Sequence, residues 1–593
     1  MPTNTRSRDL DLLRKLYGHV SARRKKQFLA LFGLMLLSSV AEVISLSAVI
    51  PFIGVITQPE VLFTADWMQP LNRFFGFETS QDLLVPVAVA FALAALLAGA
   101  MRLTLLWVTI RLGNAVGADL SIEIYKRTLY QPYAVHISRN SNDIISGITQ
   151  KVVLTSSLLM QLAALITSVF LFLSILGVLF VATPTMALFA CITFGGSYLF
   201  VAKVTRSGLR KNSEIVATKQ THVVKTLQEG LGAIRDVLLS GSQALYLNSY
   251  GKAFVQMQHA DGKNRFISQS PRYAMEAIAL ALMAGFVWIL ILQEGGTANA
   301  LPMLGLLAFG AQRILPLMQQ IFGSWSSIIG STAAMWEVVE FLDQPSVDDD
   351  VFRDVAPLDF KQTIGFENVT FAYSEDATPI LRDVSFSIPK GATVGIIGPT
   401  GSGKSTLIDL VTGLIAPSAG LITVDQQSIS EGPARRRWQS LISHVPQTIF
   451  ISDATIAENI AFTSLEAGVD LERVETAARS ACLDSFIERS DKGYATEVGE
   501  RGVRMSGGQR QRLGIARALY RSGSVLVLDE ATSALDNATE AKVMESVNAL
   551  ERDLTIFMIA HRISTLLNCD FILRVSQGTA TLHTHQPGTD IEE

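Results

Sequence analysis

Two short stretches of this chain combine the residue types that hold phosphate groups. The first, GPTGSGKST, runs from Gly398 to Thr406, after the apolar run ATVGIIG and before LIDLVTGL. Glycines at this spacing let the backbone wrap an anion, while the Lys404 ammonium reaches the terminal phosphate oxygens and the Ser405 hydroxyl holds Mg²⁺. Because a strand is predicted before the loop and a helix after it, we interpret this stretch as a nucleotide site.

The second stretch, VRMSGGQRQRLGIARALYR, runs from Val503 to Arg521. A serine and two glycines ahead of a helix-forming run expose main-chain N–H groups at the positive end of a helix dipole. This pattern also predicts a phosphate contact. Since the chain already has a complete phosphate loop, the second half-site raises the question of whose nucleotide it serves.

A pair of carboxylates ends a third stretch, SVLVLDE, from Ser524 to Glu530. Asp529 at the end of a buried strand is expected beside the phosphate loop, where it can hold Mg²⁺, and Glu530 can orient or deprotonate an attacking water. An acidic helix cap is the alternative, but it does not explain why both carboxylates end a buried strand. The pair therefore predicts hydrolysis as well as binding.

The composition indicates what must position these residues. The 593 residues are 49% hydrophobic and 17% charged, and the mean hydropathy is +0.33, which is typical of a membrane protein with a soluble part. A net charge of -4 with no basic, aromatic-containing stripe excludes nucleic acid as a partner. Cys191, Cys482 and Cys569 lack metal-ligand spacing, and we interpret them as reduced structural thiols.

Six apolar runs before residue 330 are close to or above the roughly 20 residues that a helix needs to cross a bilayer. They are Phe28 to Ile56, Leu83 to Leu112, Leu158 to Ala182, Met186 to Val204, Ala274 to Leu292, and Leu301 to Ile321. The first run is too long for the apolar part of a signal peptide, so we expect it to be retained.

Lysines and arginines are concentrated before the first span, between the second and third, and between the fourth and fifth. Because basic residues in short loops stay in the cytoplasm, both termini are expected on the cytoplasmic side of a cell (inner) membrane. Leu10, Leu13, Tyr17 and Val20 recur at helical spacing and predict an amphipathic helix on the inner leaflet. A disordered basic tail is the alternative.

The pattern changes after the last span. Residues 341–357 form a charged linker that contains proline, and the chain beyond it alternates short β-rich runs with helical ones. We therefore predict a membrane domain over 1–340, a linker over 341–357 and an α/β nucleotide-binding domain over 358–593.

Five motifs occur in order: GPTGSGKST, HVPQ, RMSGGQRQR, VLVLDEATSALD and IAHRIST. Together they resemble the nucleotide-binding domain of ABC transporters, and TEVGERG, from Thr496 to Gly502, resembles the X-loop of exporters. Six spans ahead of this domain are similar to those of exporter-type half-transporters. The resemblance implies an α-helical membrane domain with six transmembrane helices, fused to a cytoplasmic α/β P-loop ABC ATPase domain.

The resemblance also implies ATP and Mg²⁺ as cofactors. Tyr373 is similar to the aromatic residue that stacks on adenine, Gln447 to the glutamine that contacts Mg²⁺ and senses the γ-phosphate, and His561 to the switch histidine. The implied catalytic set is Glu530, His561 and Lys404, and the implied metal set is Ser405, Gln447 and Asp529. The implied ATP-binding set is Tyr373, Gly398, Pro399, Thr400, Gly401, Ser402, Gly403, Lys404, Ser405, Thr406 and Gln447.

In the family that the chain resembles, two such domains dimerise head to tail, which answers the question of the second phosphate site. The signature residues of one chain are expected to close over the phosphate held by Lys404 of the other, which implies a homodimer. These residues are Ser506, Gly507, Gly508 and Gln509, with Asp536 in the loop that crosses the interface. Met505 departs from the leucine that most often begins the signature, and we expect it to pack rather than bind phosphate.

Two cytoplasmic segments, Arg139 to Val152 and Leu227 to Gly241, resemble the family's coupling-helix regions. Coupling regions transmit the motion of the ATPase domains to the membrane helices. Ordinary tips of helical hairpins are the alternative interpretation.

Three charged residues, Glu42, Arg102 and Arg313, lie within the predicted spans, where charge is costly. The arginines are candidates for binding an anionic head group such as a pyrophosphate, with Glu42 as a counter-charge, and pairing of Glu42 with an arginine is the alternative. The first span and the loop after it, SSVAEVISLSAVIPFIGVITQPEVLF, resemble those of flippases for polyprenyl-diphosphate-linked oligosaccharides. That lipid substrate is favoured over a multidrug or lipid A-type exporter, and an ATP-gated channel or regulator is the non-transport alternative.

Overall fold

The computed structural model of the chain divides into two compact units. The helical unit comprises Met1–Gln131 and Arg139–Ser346, and the α/β unit comprises Pro132–Ser138 and Val347–Glu593. The described residues are 5–57, 59–66, 68–182, 188, 191–291, 296–345, 356–374, 377–430, 432–464, 468–549, 553–559 and 566–585. Within these ranges the description omits the side chains of residues 5–10, 46, 50, 57, 61, 71, 178–179, 181–182, 282–283, 286–291, 296–311, 313 and 548.

The division between the units falls inside the linker predicted over 341–357. One segment departs from the predicted domain bounds, because Pro132–Ser138 groups with the α/β unit although it lies within residues 1–340. It contains the short helix α7, Tyr133–Ser138.

The first 346 residues are helical wherever the structure describes an element. The helices are α1 Thr5–His19, α2 Ala22–Ser47, α3 Val49–Thr57, α4 Pro59–Thr64, α5 Gln69–Phe75, α6 Leu84–Leu129, α7 as above, α8 Ser141–Ser146, α9 Val152–Ala182, α10 Gly196–Gly232, α11 Ile234–Leu239, α12 Gln243–Ile291, α13 Gly296–Gly330 and α14 Thr332–Leu342. Single turns at Ser80–Leu83, Gly147–Lys151 and Cys191–Gly195 complete the unit.

Within the described residues, three helical stretches are long and apolar enough to cross a membrane: Ala22–Ser45, Ser80–Leu129 and Ser141–Gly177. The predicted fourth to sixth spans lie on α10, α12 and α13 and include residues outside the description, so the count of six stays a prediction. Helix α6 has 46 residues and is about 69 Å long at 1.5 Å per residue, whereas the hydrocarbon core is about 30 Å thick. The helix therefore continues well beyond the membrane.

The first predicted span, Phe28 to Ile56, is not one helix. Helix α2 ends at Ser47, Ala48 forms a turn, and α3 begins at Val49. Pro51 lacks the N–H that would bond to the Ser47 carbonyl, so the helical ladder has no donor at this step. The sequence contained this signal, and the span predicted over Phe28 to Ile56 is formed by two helices with a one-residue turn between them.

The N-terminal segment forms helix α1, but its buried face differs from the predicted stripe. Leu12 and Leu16 are each 1% exposed and pack in one cluster with residues of α14, whereas Tyr17 is 52% exposed. Of the predicted stripe, Val20 is 5% exposed and Leu13 packs against the same cluster, so the stripe coincides only in part with the buried face. The placement of α1 on the inner leaflet stays a prediction.

Asp343, just after α14, fixes the end of α1. Its carboxylate accepts hydrogen bonds from Lys15 Nζ at 3.0 Å and from the His19 ring at 2.8 Å. The bond from His19, then that from Lys15, holds the pKa of the Asp343 carboxyl below its ordinary 3.8. A lowered carboxyl pKa stabilises the folded state above pH 3.8, and this contribution is lost as the pH falls through the lowered value.

Two glycines allow a close crossing of α6 and α9. A Cβ added at Gly113 would lie 2.3 Å from the Met160 Cγ, and one added at Gly117 would lie 2.6 Å from the Ser156 Cβ. Glycines four residues apart give a helix a flat strip against which a neighbour packs closely. The GNAVG sequence of α6 therefore sets this contact.

The α/β unit contains two sheets. The strands are β1 Thr363–Phe371, β2 Leu381–Pro389, β3 Thr393–Ile397, β4 Ala419–Val424, β5 Gln427–Ser428, β6 Ile442–Val445, β7 Val525–Asp529, β8 Thr555–Ile559, β9 Phe571–Ser576 and β10 Thr579–Thr584. The helices are α15 Lys404–Val411, α16 Gly432–Gln439, α17 Ile456–Ala461, α18 Leu471–Ser480, α19 Asp484–Ile487, α20 Gly507–Arg521 and α21 Asn537–Asn548.

One sheet is antiparallel, in the order β2-β1-β4-β5, and the other has the order β10-β9-β3-β8-β7-β6. In the second sheet the pairs β3/β8, β3/β9, β7/β8 and β6/β7 are parallel, and β10 alone runs antiparallel among the described strands. Apolar clusters cover both faces, with the fully buried Trp438 in one of them. The carboxyl ends of the parallel strands consequently meet at one edge, where ligands bind in open α/β sheets.

Candidate functional site

The phosphate loop connects β3 to α15 at this edge. Gly398, Gly401 and Gly403 have φ values of 148°, 80° and 103°, in a region that residues with a Cβ rarely adopt. A Cβ at Gly398 would lie 2.1 Å from the Val575 carbonyl oxygen, whereas one at Gly401 would meet no atom within 4 Å. The loop is thus packed tightly on one side and open at its centre, as a phosphate cradle requires.

Lys404 is the first residue of α15 and turns back over the loop. Its Nζ donates to the carbonyl oxygens of Gly398 at 2.8 Å and Pro399 at 3.0 Å, which places the ammonium across the open centre. The Ser402 Oγ is buried and has no hydrogen-bond partner among the described residues. Thr400 and Ser405 are exposed, while the Thr406 side chain is buried and leaves only its main chain for a ligand.

The two predicted carboxylates lie at the carboxyl end of β7, which is separated from β3 by one strand, β8. Asp529 is the last residue of β7, and Glu530 follows it in a left-handed conformation with φ 49°. The Glu530 N–H bonds to the Ile559 carbonyl at 3.2 Å, and its Oε2 accepts a hydrogen bond from Gln447 Nε2 at 2.8 Å. Gln447 and Glu530 are therefore brought together from positions 83 residues apart in the chain.

Burial and like charge perturb the carboxylates of this site. Burial, then the negative charge of Asp529, raises the pKa of Asp409 on α15 to about 6. Burial, then the charge of Glu530, also raises the pKa of Asp529, and Lys404 opposes this rise. Because these carboxylates destabilise each other's charged forms, a cation between them and the phosphate loop is favoured.

The residues present fit a magnesium nucleotide. Hydroxyl, amide and carboxylate oxygens, from Ser405, Gln447 and Asp529, are the hard donors that Mg²⁺ prefers. The unpartnered Ser402 hydroxyl and the open centre at Gly401 suit phosphate oxygens. When bound, Mg²⁺ neutralises charge on the phosphate oxygens. The chain itself places the Lys404 ammonium over the loop and holds the Glu530 carboxylate through Gln447.

The predicted adenine-stacking residue lies in the segment that connects β1 to β2. The Tyr373 ring is 51% exposed and meets the Phe371 ring edge-on, with centroids 5.0 Å apart. Burial, then the charges of Asp409 and Tyr373, raises the pKa of Tyr133 on α7. The sequence analysis did not single out Tyr133 and placed the first coupling region just after it, at Arg139 to Val152.

The signature residues form the start of α20. Ser506 caps this helix: its Oγ accepts from the Gln509 N–H at 3.2 Å, and its N–H donates to the Gln509 side chain at 2.7 Å. A helix of 15 residues with this cap directs the remaining N–H groups of its first turn towards an anion. Met505 is 6% exposed and packs in the core, in agreement with the predicted role.

Gln511 links the signature helix to the loop that follows Glu530, and the sequence analysis missed it. Its amide donates to the Ser533 Oγ at 2.9 Å and accepts from the Ala534 N–H at 2.8 Å. Asp536 caps α21 by accepting from the Thr539 N–H at 2.9 Å. The signature helix and the loop that contains Asp536 therefore form one connected piece of each chain.

The same helix contacts the loop after Gln447. Arg517 donates to the carbonyls of Phe450 and Asn459, both at 2.9 Å, and burial lowers its pKa to about 10. A Cβ at Gly514 would lie 2.5 Å from the Ile449 Cδ1. A glycine inside a helix-forming run is a signal of close approach that could have identified this contact from sequence.

Glu42 and Arg102 pair in the helical unit. The Arg102 Nε donates to a Glu42 carboxylate oxygen at 2.7 Å, and the guanidinium makes a second bond to the other oxygen. The Glu42 side chain is 3% exposed, whereas that of Arg102 is 46% exposed. Ser38 and Ser45 are buried one turn to either side of Glu42, so α2 has a polar stripe where an apolar helix was expected.

Two predicted site residues are not described. His561 comes two residues after the end of β8 in the sequence and lies outside the described residues. The Arg313 side chain is also outside the description, although its backbone belongs to α13.

Comparisons with known proteins agree with this arrangement. The ABC transporter model matches residues 381–533, and the ABC transporter transmembrane region matches residues 52–295. The ATP-dependent lipid A-core flippase of Saccharophagus degradans is 32% identical over 475 residues, which cover 79% of this chain and 78% of that protein. The chain belongs to the ABC transporter family.

Two further similarities describe this ABC transporter. The ATP-dependent lipid A-core flippase of Chromohalobacter salexigens is 34% identical over 383 residues, and the match spans 64% of each protein. A solved structure of a bacterial Atm1-family ABC exporter with ATP bound covers 95% of this chain and 95% of its own, with a TM-score of 0.76 and 24% identity. The second similarity shows the fold, a helical membrane domain joined to an ABC domain. The match to the ABC transporter model shows that this domain is an ATPase domain, which uses ATP with Mg²⁺.

Proposed function

We propose that this ABC transporter is an ATP-driven exporter of an amphipathic lipid-type substrate, working as a homodimer by alternating access in the cell (inner) membrane. Both termini are placed in the cytoplasm, from the distribution of lysines and arginines. The observation that carries the proposal is the hydrogen bond of 2.8 Å between Gln447 and Glu530 beside the phosphate loop. It supports Glu530 as the candidate base of a nucleotide site, within a chain that also has helices long and apolar enough to cross a membrane.

The chemistry assigned to the chain's own residues is limited to that site. Glu530, held by Gln447, accepts a proton from an attacking water or orients it. Lys404 stabilises the charge that develops on the terminal phosphate oxygens. His561, two residues beyond β8, is proposed to hold the attacking geometry.

The proposed dimer follows from the two half-sites. Among the described residues, no hydrogen bond joins Ser506 or Gln509 to the phosphate loop of the same chain. The hydrogen bonds between Ser506 and Gln509 form the helix cap, and Lys404 donates to Gly398 and Pro399. The start of α20 therefore has an anion-binding end that is not hydrogen-bonded to the phosphate loop of its own chain. A second copy, packed head to tail, supplies one.

Mixed dimers test this arrangement. A chain with Lys404→Ala has a defective phosphate loop, and a chain with Ser506→Arg has a defective signature. Each homodimer should hydrolyse ATP at least about a hundredfold more slowly than the native protein. The mixed dimer, purified through two different tags, should recover much of this loss because one of its two composite sites is intact.

The control is a mixed dimer of two chains that each contain both substitutions, which should stay inactive. If each ATP site were built within one chain, the Lys404→Ala and Ser506→Arg mixture would contain no intact site. A mixed dimer as inactive as the two homodimers would thus contradict the head-to-tail arrangement.

The proposal of a lipid substrate rests on the polar stripe of α2 and on the relatives. A buried carboxylate with a half-exposed arginine at membrane depth suits a substrate with a charged head group and apolar chains. Two relatives are named lipid A-core flippases. Within this class, we keep a polyprenyl-diphosphate-linked oligosaccharide as the specific candidate, on the resemblance of the first span and the loop after it.

Reconstituted protein tests the substrate class. In liposomes, ATP should drive reorientation of a polyprenyl-diphosphate oligosaccharide between leaflets, measured by the accessibility of its glycan to an added enzyme, and Glu530→Gln should abolish it. Lipid A and a fluorescent apolar drug are assayed in parallel. Reorientation of lipid A alone would replace the specific candidate and keep the lipid class, whereas drug transport alone would contradict both.

An ATP-gated channel or regulator is the remaining alternative. Such a protein would hydrolyse ATP without accumulating any of these substrates, and it would conduct small ions when ATP is added. Ion flux through the liposome membrane is therefore recorded in the same preparation. ATP-dependent ion conductance with no lipid reorientation would overturn the exporter proposal.

A further inference from the structure

A cleft of about 510 Å³ lies between the start of α2 and the second half of α6. Its walls are apolar, with Leu31, Leu34 and Val108 among the lining residues. The lining also includes Trp107 and Arg111 of α6, whose side chains each have a polar N–H group. An apolar groove with a cation and an indole on one wall is shaped for an amphiphile rather than for a water-soluble ligand.

The charge at the mouth of this cleft belongs to Arg111. Arg24, which also lines the cleft, donates to Asp119 at 2.8 Å and to Gln27 at 3.0 Å, so a carboxylate already neutralises it. The Arg111 guanidinium lies over the Trp107 ring, 5.1 Å from its centroid, and forms no ion pair among the described residues. A positive charge thus remains available beside the apolar walls.

The position of the cleft along the helices corresponds to the membrane surface. Arg111 lies at the end of the span predicted over Leu83 to Leu112, and α2 begins with the basic sequence ARRKK before its apolar part. Tryptophan and arginine are typical of this interfacial depth. With the predicted orientation, the interface is that of the cytoplasmic leaflet, whose anionic lipids attract basic residues near the surface.

We propose that this cleft binds one anionic glycerophospholipid of the cytoplasmic leaflet, with its phosphate on Arg111 and an acyl chain along Leu31, Leu34 and Val108. A phosphatidylcholine is disfavoured, because its choline cation would meet the guanidinium that covers the Trp107 ring. The site is separate from the Glu42–Arg102 pair, since Arg102 precedes Arg111 by nine residues, about 13 Å along α6. The inference does not depend on which substrate is exported.

Trp107 provides a local reporter of the bound lipid. The full-length protein is placed in phosphatidylcholine nanodiscs. One series of nanodiscs contains increasing fractions of brominated phosphatidylglycerol, and the other contains increasing fractions of brominated phosphatidylcholine. The brominated acyl chains of both lipids quench the fluorescence of nearby indoles. The Trp107 signal is the difference between the native protein and Trp107→Phe. We expect brominated phosphatidylglycerol to reach half-maximal quenching at a fraction about fivefold lower than brominated phosphatidylcholine. A preference of this size is what one arginine near the membrane surface contributes to the binding of an anionic lipid.

Three variants identify the origin of this preference. Arg111→Ala should remove it, Arg111→Lys should retain most of it, and Lys263→Ala, which changes an exposed cation on α12, should leave it unchanged. Ala115→Phe, which fills the cleft, should reduce Trp107 quenching by both lipids. Equal quenching by the two lipids in the native protein, or a preference that persists in Arg111→Ala, would overturn the proposal.

Discussion

Glu530→Gln is expected to lower the rate of ATP hydrolysis by at least about a hundredfold while ATP still binds. Glutamine has the same shape as glutamate and can still bond to Gln447, which donates to Glu530 at 2.8 Å in the native chain. It cannot accept a proton from water. The variant should therefore retain ATP in a closed dimer that is not reset by hydrolysis.

Two measurements test this expectation: steady-state phosphate release, and retention of radiolabelled ATP after rapid gel filtration. Glu545→Gln, an exposed position on α21, is the matched control and should behave as the native protein. Normal phosphate release by the Glu530 variant would refute its assignment as the base. Loss of both hydrolysis and ATP retention would show instead that the carboxylate is needed for binding.

Arg102→Ala is expected to destabilise the helical unit by about 3 kcal/mol, because it leaves a buried carboxylate without its arginine. The Glu42 side chain is 3% exposed. The expected loss of stability is at the low end of the range for buried ion pairs, because the Arg102 side chain is half exposed. Changing both residues, as Glu42→Gln with Arg102→Ala, should restore most of the stability. Thermal unfolding in detergent, with Arg265→Ala as the control, measures the difference.

The same variants separate the two interpretations of Arg102. A structural pair predicts a lower unfolding temperature in Arg102→Ala and recovery in the double variant. A substrate contact predicts native unfolding temperatures in both, with loss of substrate-stimulated ATP hydrolysis and unchanged basal hydrolysis. Unchanged stability together with unchanged transport would contradict both roles.

The ATP site was predictable because its parts are local. A glycine loop between a strand and a helix, a serine before two glycines, and two carboxylates after an apolar strand each determine their own backbone within about ten residues. The structure keeps all of these elements, with Lys404 over the loop and Ser506 as the cap of α20. The resemblance added the expected role of Gln447, which a local pattern does not contain, and the contact of Gln447 with Glu530 comes from the structure.

The missed contacts join residues that are far apart in the chain. Arg517 reaches the carbonyls of Phe450 and Asn459, and Gln511 reaches Ser533, and neither pairing leaves a repeating signal in the sequence. The break after Ser47 is different, since Pro51 was visible and its missing N–H was not considered.

The sequence by itself determined the membrane character of the first part, the α/β character of the second, and the residues that can hold a nucleotide. These depend on composition, periodicity and short-range backbone geometry. Only the tertiary structure decided which face of α1 is buried, and that Glu42 meets Arg102 across 60 residues. An amphipathic helix can bury its apolar face in lipid or against protein, and a carboxylate can pair with any of several cations. The local sequence permits these states equally. Packing between elements that are distant in the chain therefore selects among them.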